Sequence, residues 1–296
     1  MYRLPFNGDY ILDDLLYTGT CNKLLNQFKE NLAQRVDITI NHNITQFLGL
    51  NITYVREEIL LSASKYAEQL RERFNISPAP PSTPYRNPSA NYKPENKPLS
   101  PAGLHLYQQQ LRCLLFASIT CRPDLSYIAS QLARYSRKPV AENQLDLEHS
   151  LQYFISTPDI RLSYSTVTTT SFNLNGYVDA YHATDPANRH SRPGFVFRLE
   201  PRGPLPWNSQ NQELVALSSA EAEYIAATVA VREGLYLQEL RQEAKILTSP
   251  TFRLHCDNQS AIKITNKPGS VNRTKHIALR YFFVKDEIDQ GKVDLA

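Results

Sequence analysis

Three carboxylates in the second half of the sequence, Asp179, Glu223 and Asp257, are of a type and placement that could hold metal ions. Asp179 follows the run "NLNGYV", Asp257 follows "FRLHC", and Glu223 falls in the first turns of an alanine-rich stretch that opens "SSAEAEY". Two strand ends and one helix start can bring carboxylates together on one edge of a sheet. Hard cations such as Mg²⁺ prefer carboxylate oxygens, and two such ions about 3.5 to 4 Å apart activate water and stabilise the leaving oxygen of a phosphodiester. On spacing alone a plainer reading stays open, because aspartate is also favoured as a turn or cap residue after a strand. An acidic pair, Asp13 and Asp14, interrupts the apolar run "ILDDLLY" and reads either as a metal site or as a polar turn. In "NRTKHI", Arg273 and Lys275 could contact phosphates and His276 could move a proton, against the alternative of a solvated helix start.

These residues need elements to position them. "KLLNQFKENLAQRV" (23 to 36) has Leu24, Leu25, Phe28 and Leu32 at helical spacing, after a strand expected over 10 to 17. Residues 46 to 74 read as two short strands around a charged turn and then a helix from about Ser62 to Phe74, with Ser62 as its N-cap. The stretch 77 to 103 holds eight of the 19 prolines and is expected to be an extended connector. From Leu104 to Tyr153 apolar residues recur at three-four spacing, which predicts three helices. Strand-like alternation then returns in "FNLNGYVDAY", "GFVFRLEP" and "LPWNSQNQ", an antiparallel meander, followed by a long helix, a strand running into a helix, and a last helix. The fold class is α+β or α/β, with a mixed sheet and flanking helices in the second half.

The chain has 296 residues, enough for two domains, with 42% hydrophobic and 21% charged residues as in ordinary globular proteins. A net charge of +3 permits a nucleic-acid partner without demonstrating one. The four cysteines, Cys21, Cys113, Cys121 and Cys256, show no paired metal-ligand spacing, and a reduced intracellular protein is expected, cytoplasmic or nuclear. No apolar run approaches the roughly 20 residues of a membrane span.

Four motifs carry a resemblance. "GYVDA", "ALSSAEAEYIA", "CDNQSAI" and "NRTKHI" with "LRY" occur in that order and resemble the ribonuclease H domain of copia-type LTR retrotransposon Pol polyproteins. The resemblance implies a ribonuclease H fold, dependence on Mg²⁺, and cleavage of RNA in RNA/DNA hybrids, with Asp179, Glu223 and Asp257 matching three catalytic carboxylates. Glu221 competes with Glu223, but the two point about 200° apart on a helix. Glu223 shares a face with Ala226, Ala227 and Ala230, which suit close packing on a sheet, so Glu223 takes the metal role and Glu221 a capping one. Where the family reads D-A-D-W-A-G-D, this chain has "DAYHATD"; the family's fourth carboxylate lies either in a helix beyond "GKVDLA", where the sequence stops, or at the position of Ala278, and either assignment leaves it missing here. A ribonuclease H domain shortened at its C-terminal end is therefore expected.

In the first half, "ILDDLLYTG", "FLGLNI", "KYAEQLRERFNI", "TCRPDLSYIASQLARYS" and "LQYFISTPDIRLSY" resemble, in order, the late palm, thumb and connection of a copia-type reverse transcriptase. Ile11, Leu12, Asp13 and Asp14 match the family's Y-V-D-D, whose aspartates bind Mg²⁺ for nucleotidyl transfer. Only twelve residues precede Asp13, so no polymerase activity is expected of this chain alone, and a partner would have to supply the remainder of that site. The implied organisation is a partial palm and thumb over 1 to 76, the proline-rich connector 77 to 103, a helical connection 104 to 163, and a ribonuclease H-like domain 164 to 296. The expected function is hybrid cleavage by a Pol fragment, with virus-like particles as the family's setting. The rivals are a non-catalytic nucleic-acid-binding remnant and a part that completes a reverse transcriptase in trans.

Overall fold

A computed structural model describes residues 15–16, 21–37, 44–77, 81–86, 97–167, 172–181, 191–209, 219–246, 249–257 and 275–296, with backbone alone at 181, 220 and 275–281. The strand expected over 10 to 17 falls almost wholly outside them. The first helix, α1 (Asn22–Ala33), forms where leucine spacing predicts it, and none of its residues is buried among the described ones.

Four antiparallel strands make the first sheet in the order β1 (Gln46–Phe47), β2 (Leu50–Val55), β3 (Glu58–Ser62) and β4 (Leu162–Ser165). Strand β4 spans the junction drawn at 163/164 and pairs with β3, so chain from beyond the helical layer returns to the first sheet. Helix α2 (Ser64–Phe74) starts two residues later than the sequence suggests. Ser62 belongs to β3, and the capping acceptor is Asn51 on β2, whose Oδ1 accepts from the Lys65 backbone N–H at 3.1 Å and from Ser64 Oγ at 3.2 Å. A cap supplied from another strand leaves no local sequence signature, which is why Ser62 looks like the better choice. The helix ends at Asn75 in the left-handed region, φ 48°, a role asparagine tolerates.

The helical layer comprises α3 (Pro101–Thr120), α4 (Ser126–Ala133) and α5 (Ala141–Ser156). The first of these begins inside the proline-rich stretch. Ser100 Oγ accepts the Gly103 N–H at 3.2 Å and Pro101 occupies the first helical position, where its missing N–H costs nothing. Leu70, Tyr107, Leu114, Leu125, Ile128, Leu147 and Phe154 form a buried core that joins this layer to the first sheet.

The second sheet has the order β7 (Gly203–Ser209), β6 (Arg192–Glu200), β5 (Asn173–Tyr181), β8 (Phe252–Cys256) and β9 (Val293–Leu295). Strands β5, β6 and β7 form the expected antiparallel meander, whereas β8 runs parallel to β5 and β9 parallel to β8. Helix α6 (Ser219–Glu243) covers one face, with α7 (Lys275–Asp289) packed beside it. The face against α6 is built from Leu174, Val178, Phe197, Phe252 and Leu254, and from Ala226, Ala227 and Ala230 of the helix, which lack the bulk to hold it away. The packing leaves no room for a side chain at Gly176, where a Cβ would lie 2.6 Å from Phe197 Cε1 and 2.8 Å from Leu254 Cδ1.

Side-chain contacts tie the second sheet to the rest. Trp207 Nε1 donates to the Ser118 carbonyl at 2.8 Å, Arg192 Nη1 donates to Ser130 Oγ at 2.9 Å, and Arg202 Nη1 donates to the Ser165 carbonyl at 2.8 Å. The Arg192 guanidinium also lies 4.8 Å over the Tyr127 ring.

Candidate active site

Because β5 and β8 are parallel neighbours, their carboxyl ends open on the same edge of the sheet. Val178 pairs with Cys256 in register, which sets Asp179 beside Asp257, one residue further along each strand. Both aspartates are exposed. Helix α6 packs across β5 and carries Glu223 to the same edge, where it is 5% exposed. The sequence-derived trio thus comes together, and Glu223 rather than Glu221 is the helix member, flanked by buried Ala226, Ala227 and Ala230.

Burial pushes the Glu223 carboxyl up to about 7. The Ala180 backbone N–H opposes that rise by donating to the carboxylate, while the nearby charges of Asp179 and Asp257 add to it. Glu223 Oε2 is buried and has no hydrogen-bond partner among the described residues. Leaving such an oxygen unsatisfied costs about 1 to 3 kcal/mol. One oxygen of Glu223, one of Asp257 and the Cys256 sulfur all lie within 4.8 Å of one another. An orphaned carboxylate oxygen beside two exposed carboxylates is a donor set that fits a hard divalent cation such as Mg²⁺.

A groove of about 540 Å³ opens beside Asp179 toward the helical layer, lined among others by Tyr127, Tyr177, Arg192, Trp207 and Asn208. Tyr177 stacks on His255 of the neighbouring strand, with ring centroids 4.8 Å apart and planes inclined by 14°.

Other sequence candidates contribute less. Asp13, Asp14 and Arg273 lie outside the described residues, and Lys275 and His276 open α7 with backbone alone described. Sequence reading missed Cys256 as a neighbour of the carboxylates. Its only signal was adjacency to Asp257 at a strand end, because a lone cysteine has no ligand spacing to read.

No family model matches the chain. It is 31% identical over 288 residues to the retrovirus-related Pol polyprotein from transposon TNT 1-94 of Nicotiana tabacum, a match covering 94% of this chain and 21% of that relative. It is 30% identical over 226 residues to the putative transposon Ty5-1 protein of Saccharomyces cerevisiae, covering 75% of this chain and 71% of that relative. Among solved structures, the foamy viral protease-reverse transcriptase dRH in complex with double-stranded DNA matches with TM-score 0.53 and 13% identity, over 93% of this chain and 42% of that one. At that identity the likeness is one of fold. The chain spans about a fifth of the length of the plant Pol polyproteins it matches. These matches in sequence, with an α+β fold like that of a reverse transcriptase, show that the chain belongs to the family of copia-type retrotransposon Pol polyproteins.

Proposed function

We propose that Asp179, Glu223 and Asp257 cleave the RNA strand of RNA/DNA hybrids with the help of Mg²⁺. The observation that carries this reading is the convergence of the three carboxylates on one sheet edge, with Glu223 Oε2 buried there and unpartnered among the described residues. Bound Mg²⁺ would supply a water of lowered pKa and charge stabilisation at the leaving oxygen. The exposed carboxylates of Asp179 and Asp257 would hold the cations at the open edge, with Glu223 as a third ligand. Glu223 Oε2 accepts a hydrogen bond from the attacking water and so orients it. Attack breaks the bond between phosphorus and the 3′-oxygen, leaving a 3′-hydroxyl and a 5′-phosphate.

The groove beside Asp179 suits the strand that this chemistry requires. Tyr177 is 39% exposed, and a base stacked on its ring would be held whatever the sequence. The similar fold solved with double-stranded DNA supports a nucleic-acid partner.

Purified chain incubated with a labelled RNA/DNA hybrid and Mg²⁺ tests the reading. Groups that merely orient metal ligands cost about 10- to 100-fold when lost, so replacing a ligand itself, Asp179→Asn, is expected to cost at least about a hundredfold. Cleavage by the wild type no faster than by this variant would favour a non-catalytic nucleic-acid-binding role.

A further inference from the structure

Cys256 is an odd neighbour for a hard-cation site. It ends β8 with 7% of its surface exposed, and its register partner is Val178, next to Asp179. Its sulfur lies within 4.8 Å of a carboxylate oxygen of both Glu223 and Asp257. Mg²⁺ gains nothing from sulfur, since it takes oxygen ligands in a strict octahedron. Zn²⁺ accepts both donor types, with sulfur at about 2.3 Å and carboxylate oxygen at about 2.0 to 2.2 Å. Two such ligands on one tetrahedral ion stand roughly 3.5 Å apart by that geometry. The three donors, within 4.8 Å of one another, would have to draw in to this spacing, and exposed Asp257 has room to do so by side-chain rotation. A second observation points to a cation independently of the cysteine: Glu223 is 95% buried yet keeps Oε2 without a partner among the described residues.

We propose that Glu223, Cys256 and Asp257 form a site for a thiophilic divalent cation, Zn²⁺, which competes with hard cations for the two carboxylates. Binding breaks the Cys256 S–H bond, sends the proton to solvent, and forms an S–Zn bond with no change of oxidation state. Solvent completes the coordination on the open side, where Asp257 is exposed. The order of divalent affinities favours Zn²⁺ over hard alkaline-earth ions at a site with a thiolate. Occupation takes Glu223 and Asp257 away from Mg²⁺, so Zn²⁺ is expected to block hybrid cleavage even in excess Mg²⁺. That consequence rests on the proposed function, whereas the binding itself does not.

Binding is therefore measured on the full chain without nucleic acid. Zn²⁺ is titrated by calorimetry into the chain carrying Cys21→Ser, which removes the exposed thiol, and into the same chain with Cys256→Ser or Cys256→Ala added. The first is expected to bind Zn²⁺ at least about tenfold more tightly and to release more protons per Zn²⁺ bound than either double variant. Equal affinity and equal proton release would overturn the proposal. X-ray absorption at the zinc edge needs no Cys256 variant, so misfolding of those variants leaves the proposal testable. One sulfur scatterer at about 2.3 Å supports it, and a shell of nitrogen and oxygen alone refutes it. A protein that binds Zn²⁺ in this way yet fails to cleave hybrid would leave the site standing and sink only the hybrid-cleavage reading.

Discussion

Glu223 links the chemistry of the site to the stability of the chain. Its carboxyl is held at about 7 in the fold against an ordinary 4.5, with burial as the main cause. Between these values the folded chain binds more protons than the unfolded one, so without metal its stability falls as pH rises from about 4.5 through about 7. Glu223→Gln should remove that slope, and a bound divalent cation should offset it by satisfying the charge; denaturant titrations across this pH range with and without Mg²⁺ check both. At this scale Asp179, Glu223 and Asp257 were legible in sequence because each sits in a motif. Cys256 was not, since its relation to Glu223 runs through the packing of α6 on β5 and β8, which no local spacing encodes.

Elements decide how precisely the carboxylates meet. Glu223 reaches the sheet edge because α6 lies close over β5, and that approach depends on small residues on both sides, Ala226, Ala227 and Ala230 on the helix and Gly176 on the strand. A methyl group at Gly176 would press on Phe197 and Leu254, so Gly176→Ala is expected to destabilise by about 1 to 3 kcal/mol, the usual cost of overpacking, read as a lowered melting temperature. Hybrid cleavage should fall with it as α6 is pushed outward. Periodicity predicted α3 to α6 and the meander well, because each element carries its own repeat. It placed the start of α2 at the wrong residue because the capping acceptor, Asn51, comes from another strand. Strand β4, four residues long, and strand β9, three residues long, are too short for alternation to stand out, and they exist through pairing with β3 and β8.

Across the whole molecule, the helical layer and the second sheet share contacts that build one wall of the groove beside Asp179. Arg122 anchors the layer: 1% exposed, it donates to Asp124 at 2.7 Å and 2.9 Å and to the Thr157 carbonyl at 3.1 Å, with its guanidinium over Tyr153 and Phe154. Removing one partner of a buried pair costs about 3 to 5 kcal/mol, and Arg122→Ala is expected at the lower end because Asp124 keeps 26% of its side-chain surface. Chemical denaturation of the variant measures that loss. The most direct test of the central claim is cleavage of a labelled RNA/DNA hybrid in Mg²⁺ by the wild-type chain and by Asp179→Asn. RNA fragments ending in 3′-hydroxyl are expected from the wild type and at least about a hundredfold less from the variant. Equal rates from the two proteins, including no cleavage by either, would contradict it.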